Sequence, residues 1–195
     1  MSSSGSGTIT INFTKANNNY YCKVYAALSD SKGVTQNGTY AVISNLYTIS
    51  AASTPTLDIS MVAPISITGY YYAHMSNNGS ITSTSSSSPT IIYYYYRPNS
   101  YEVLYNANKG TFSGGSTTRY YNESYTLTSI EPTRSDYEFL GWSTNSTATT
   151  ASYSSGATVP ASTSDSNITY YAVWKKIYSI LVHHYYVDEN DNETT

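Results

Sequence analysis

Three histidines, one cysteine and twelve carboxylates are the groups of this 195-residue chain best suited to hold a metal or move a proton. His183 and His184 are adjacent on an expected strand, so they face opposite sides and do not close on one ion. His74 lies in the other half of the chain. Cys22 shares its face with Val24, Ala26 and Leu28, which makes it a small buried hydrophobe rather than a nucleophile. A single cysteine also rules out a disulfide framework. Serines abound, but no Gly-x-Ser-x-Gly elbow lifts one above its neighbours. Half of the acids fall in turns or the tail, and nothing in their spacing selects a pair for glycoside cleavage. Asp188–Asn192 places oxygens at alternate positions as a calcium loop does, yet Glu193 stands where the turn needs glycine. It reads as a solvated turn. The expectation is no catalytic residue, no metal and no cofactor.

Tyrosine is the residue present in excess. The chain has 24, and fifteen of them sit in adjacent runs, among them Tyr70–Tyr72, Tyr93–Tyr96 and Tyr170–Tyr171. On a strand, neighbours point to opposite faces, so each run sends a ring inward and a ring outward. Inward rings build core. Outward rings offer rigid, amphipathic contact area at low entropic cost. Tyr70, Tyr72, Tyr93, Tyr94, Tyr95 and Tyr96 are therefore the candidate contact surface, set against plain cross-strand pairing that stiffens a sheet.

The elements that carry these rings read as strands. Thr8–Phe13 alternates with period two, and Tyr20–Leu28, Thr39–Ile43, Leu46–Ile49, Leu57–Val62, Ile65–His74 and Ile91–Tyr96 follow at short intervals. Turn residues such as Asn37-Gly38 and Asn77-Asn78-Gly79 separate them, and no window has a helical period. So many short strands in residues 8–97 suggest an immunoglobulin-like β-sandwich after a flexible Ser/Gly lead at 1–7. Ser80–Pro89 is a Ser/Thr-rich loop with nothing to bury. A linker is expected at 98–100, where Pro98-Asn99-Ser100 interrupts the pattern. Charge shifts there too: residues 1–100 hold six charged side chains, residues 101–195 fifteen.

The second half carries ordered motifs. Tyr105–Gly110 closes a strand in a tight turn, and Tyr121–Leu127 follows. Pro132-Thr133 precedes Tyr137-Glu138-Phe139-Leu140-Gly141-Trp142, and Tyr171-Ala172-Val173-Trp174 closes the series. Over about residues 101–176 this order resembles the Listeria–Bacteroides repeat, the B-repeat of internalin-type surface proteins. Two positions depart from it: Asp136 replaces a glycine, and Lys109-Gly110 replaces a glycine pair. The resemblance implies a small β-grasp-like module without catalytic residues, one bead in a chain of extracellular modules. Tyr137, Phe139, Gly141, Trp142, Ala172 and Trp174 are its expected core. Residues 180–193 resemble the opening of a mucin-binding-protein-type repeat, so 177–195 is expected to begin a further module or form a tail.

Ser, Thr, Asn and Tyr make up 100 of the 195 residues, while charged residues make up 11%. An average soluble domain carries about 25%. A net charge of −3 gives no basic field for a phosphate backbone, so nucleic acid is not an expected partner. No apolar run approaches the length of a membrane span, and the first residues do not read as a secretory signal. The expected class is all-β or β-rich. The expected role is non-catalytic: a structural or adhesion component of a phage virion or of a bacterial cell-surface fibre. Its partners would be neighbouring protein subunits, and the alternative is a glycan-binding adhesin module. Either role places the chain on a virion or on the extracellular cell surface.

Overall fold

The computed structural model describes residues 16–183, 186–187 and 193–194. The expected strand at Thr8–Phe13, the lead at 1–7, His184 and the Asp188–Asn192 turn lie outside the described residues. The chain divides into two compact units, Met1–Asn99 and Ser100–Thr195. Both are all-β, and the described residues contain no α-helix.

Unit 1 is built on β1 (Asn18–Ser29), β2 (Thr35–Ala51), β3 (Tyr70–Met75) and β4 (Thr90–Pro98). They form one mixed sheet in the order β2-β1-β4-β3. The outer pairs are antiparallel, whereas central β1 and β4 run parallel, from Cys22 opposite Thr90 to Leu28 opposite Tyr96. Alternation sends Cys22, Val24 and Ala26 of β1 and Ile92, Tyr94 and Tyr96 of β4 to the same face, where all are buried. Fully burying a side chain such as Ile92 contributes about 1.5–3 kcal/mol.

An immunoglobulin-like sandwich would cover that face with a second sheet. Here, among the described residues, irregular chain covers it, contributing Leu57, Val62 and Ile81 to the core. The difference has a local cause. Leu57–Val62 alternates like a strand, but the Asp58 carboxylate accepts the Ser60 N–H at 2.8 Å and the Asp58 carbonyl accepts the Met61 N–H at 2.9 Å. That side-chain hydrogen bond turns the chain within the segment. Thr39–Ile43 and Leu46–Ile49, read as two strands, are parts of β2, whose pairing with β1 absorbs irregularities through bulges. The Ser/Thr loop at 80–89 also departs from expectation, because Ile81 is fully buried. The loop bonds to β4 and to itself: the Thr90 hydroxyl accepts the N–H groups of Thr82 and Ser83, and the Ser83 hydroxyl donates to the Ser88 carbonyl at 2.6 Å.

Unit 2 repeats the plan. Its main strands are β5 (Ser100–Asn106), β6 (Thr117–Tyr120), β8 (Tyr137–Ser143) and β10 (Ile168–Lys176), ordered β6-β5-β10-β8. Its central pair, β5 and β10, is again parallel, and its outer pairs are antiparallel. A small ribbon of β7 (Tyr125–Thr126) and β9 (Thr158–Val159) covers the core with Tyr125, Leu127 and Val159. A two-residue pair, β11 (Tyr186–Val187) with β12 (Glu193–Thr194), follows near the end.

Taken in chain order, the four sheet strands of each unit lie 2-1-4-3 with a parallel centre. The likeness extends to details. Each first turn contains Lys-Gly, and the glycine N–H returns to the carbonyl three residues earlier, Gly33 to Asp30 and Gly110 to Ala107. Five places before that glycine stand Leu28 and Tyr105, and each lies across the parallel pair from a buried tyrosine, Tyr96 and Tyr170. Both buried phenols are satisfied, as burial demands. Tyr96 donates to the Ile65 carbonyl at 3.0 Å, and Tyr170 shares a 2.9 Å hydrogen bond with the Tyr125 hydroxyl. One strand order with a parallel central pair therefore occurs in both units.

Candidate contact surfaces

The face of unit 1 opposite its core carries a line of rings. Parallel register sets Tyr25 beside Tyr93, with ring centroids 6.2 Å apart. Tyr93 leads to Tyr95 at 6.2 Å, and Tyr95 to His74 at 4.9 Å. His74 reaches this line through a bulge. Tyr72 pairs with Tyr96 on the core side, the ladder then slips one residue, and His74 pairs with Tyr95 on the outer side. Tyr71, half exposed, pairs with Arg97 on the same outer side.

The six tyrosines expected at a contact surface divide between the two faces. Tyr93 and Tyr95 face outward and are partly exposed. Tyr94 and Tyr96 do not: they are 0% and 1% exposed and belong to the core. Tyr72 packs edge-on against both, at 5.2 and 6.1 Å, and Tyr70 packs on the same core. Alternation along β4 forces this split. Tyr25, Tyr71 and His74 complete the outer line, and sequence reading missed them. Tyr25 was beyond reach because its place depends on the parallel register; His74 was hidden by the bulge.

In unit 2 the closing motif builds the core. Phe139 and Trp142 pack together at 5.2 Å, and Trp142 also packs on Tyr105 at 4.9 Å and Phe112 at 5.6 Å. Ala172 is fully buried opposite Trp142. Trp174 lies half-buried at the core edge, with its ring 5.6 Å from Phe139 and its indole N–H donating to the Ala107 carbonyl at 2.9 Å. Gly141 has φ +133°, and a Cβ there would collide with the Tyr153 carbonyl oxygen. Tyr137 is the exception among the expected core residues. It is half-buried outside the core cluster, and the Arg134 guanidinium lies over its ring at 3.6 Å.

A cleft of about 430 Å³ opens beside this edge, lined by Asn108, Lys109, Arg134, Ser146, Thr147, Ala148 and Trp174. The Asn108 amide ties its walls together, donating to the carbonyls of Ser146 at 2.9 Å and Ala172 at 3.0 Å. Deeper in the unit, Arg119 is 2% exposed and has no acid partner among the described residues. Its guanidinium donates to the carbonyls of Ser164 and Ser166 and lies 4.7 Å from the centre of the Tyr101 ring.

Ionisation in the molecule follows burial. Burial pushes the Tyr94 phenol up to about 12. It also raises Tyr72 and Tyr96, while Tyr170 rises through burial and its bond to Tyr125. Burial raises Cys22 as well, which keeps it a thiol. No group of three or more His, Cys, Asp or Glu able to hold a metal ion occurs among the described residues. No helix among them is long and apolar enough to cross a membrane.

No curated protein matches the chain. The family model of the Listeria-Bacteroides repeat domain matches residues 101–173, which span β5 to β10 of unit 2. The ordered motifs from Tyr105 to Val173 fall within that match, which suggests a domain of bacterial surface proteins. Unit 2 matches the Listeria-Bacteroides repeat domain.

Proposed function

We propose that this chain is a non-catalytic structural and adhesion segment of a bacterial surface fibre, made of two modules of one topology in series. Unit 1 is the contact module. Its outer face presents Tyr25, Tyr93, Tyr95 and His74 as one connected aromatic line, and that line is the observation that carries the reading. Partly exposed tyrosines suit protein–protein contact because each combines a large rigid ring with a polar tip. Low charge means that association proceeds without long-range steering and depends little on salt. The partner is a neighbouring protein subunit of the fibre.

Analytical ultracentrifugation of the full chain tests this. Concentration-dependent association that disappears in the Y25A/Y93A/Y95A variant is the expected result. A chain that stays monomeric across the micromolar range, or a variant that associates as before, contradicts it. A second reading, glycan adhesion, is favoured by the same partly exposed rings, which are able to stack on sugars. It predicts a monomer with saturable glycan binding, lost in the same variant.

A further inference from the structure

The cleft of unit 2 brings two cations, an aromatic ring and several polar groups to one place. Lys109 and Arg134 bring two positive charges to its rim, no carboxylate lines it, and neither cation makes an ion pair among the described residues. Trp174 supplies an aromatic wall, while Ser146 and Thr147 supply hydroxyls and Asn108 an amide. These groups stand on supports fixed before any ligand arrives. The Asn106 side chain accepts the Asn108 N–H at 2.8 Å, and the Asn108 amide bridges two carbonyls across the cleft. Gly110 lets the turn lie directly on the indole, since a Cβ there would meet Trp174 Cζ2 at 2.6 Å. Arg134 is held over the Tyr137 ring. Lys109 has φ +75°, a conformation in which a side chain is a liability and glycine is free. The lysine is thus present at a position whose backbone favours its absence.

We propose that this cleft binds an acidic saccharide. A pyranose ring packs on Trp174, its carboxylate lies between Lys109 and Arg134, and its hydroxyls meet Asn108, Ser146 and Thr147. Paired cations recognise the charge, and the aromatic wall with hydroxyl partners distinguishes a sugar from a simple anion. The site is separate from the tyrosine face of unit 1, so its failure leaves the proposed function standing, and the converse holds.

Titration calorimetry of the full chain with oligogalacturonate tests the proposal. Its comparison probes are a neutral galactose oligomer and a glutamate peptide of matched length. Saturable binding of oligogalacturonate is expected, at least tenfold tighter than either comparison probe. K109G and R134Q should each weaken it about tenfold or more. K109G should also melt at a higher temperature than the parent, so its loss of binding cannot be ascribed to unfolding. Absence of binding, equal binding of the glutamate peptide, or unchanged affinity in both variants overturns the proposal. Binding of the neutral oligomer with equal strength overturns it too, because the cations would then have no part.

Discussion

Phe139 and Trp142, three positions apart on one strand, point into the same core with their ring centroids 5.2 Å apart. Strict alternation would place them on opposite faces. A slip in the ladder resolves the conflict: Val173 pairs with Gly141 and Trp174 with Phe139, which leaves Leu140 as the extra, outward residue. Gly141 makes that bulge possible. Its Cβ position is already occupied by the Tyr153 carbonyl, whose oxygen accepts the Trp142 N–H at 2.7 Å. Gly141→Ala should therefore destabilise the chain by on the order of 3 kcal/mol, through strain and a displaced strand. Denaturant unfolding followed by tryptophan fluorescence measures this. A change within the ordinary surface range would contradict the account.

Arg119 makes a different demand. Burying an arginine costs less where its donors find acceptors; here Nη2 donates to the carbonyls of Ser164 and Ser166, while Nε and Nη1 have no partner among the described residues. Arg119→Ala should cost about 2–4 kcal/mol and free the segment between β9 and β10. Hydrogen exchange read on residues 160–167 should speed up in the variant, with exchange in unit 1 unchanged.

Alkaline pH should unfold unit 1. A phenol with a higher pKa folded than unfolded contributes stability that is intact below its ordinary value of 10. That contribution is lost as pH rises through the folded value, which is about 12 for Tyr94. Tyr72 and Tyr96 shift in the same direction. Stability should be flat to about pH 9 and then fall. Tyr94→Phe loses the 2.8 Å bond to the Val62 carbonyl and should be about 1 kcal/mol less stable at pH 8, yet its decline above pH 10 should be shallower. Thermal melts from pH 8 to 11, with phenolate absorbance in parallel, provide the comparison.

The outer rings of unit 1 should matter little to folding. Tyr25, Tyr93 and Tyr95 retain solvent exposure, so the Y25A/Y93A/Y95A variant should lose only about 1–2 kcal/mol in all while its association is abolished. A loss comparable to that of a core truncation would mean the rings stiffen the sheet and do nothing more.

The sequence carried the second unit further than the first. Spaced motifs from Tyr105 to Trp174 placed Trp142 and Ala172 in its core and Phe139 and Trp174 at the edge of it, but no motif marks Val103, Tyr125, Leu127, Val159 and Tyr170 as core, and Tyr137 lies outside the core under Arg134. In unit 1 the strands were legible but their partners were not. The parallel pairing of β1 with β4 joins residues nearly seventy apart, and no local pattern encodes it. Leu57–Val62 alternates like a strand, and only the Asp58 turn shows that it is a cover. The same missing register hid Tyr25 from the contact face, whereas Tyr94 and Tyr96 are turned inward by simple alternation with Tyr93 and Tyr95.

The shared 2-1-4-3 plan of the two units is the claim on which the modular reading stands. Backbone NMR of the labelled chain tests it most directly, through cross-strand contacts in the two central pairs. Parallel-pattern contacts should join residues 22–28 to 90–96 in unit 1, as they join 103–106 to 168–171 in unit 2. If 22–28 shows no contact with 90–96, or only antiparallel ones, unit 1 is not a second copy of the plan.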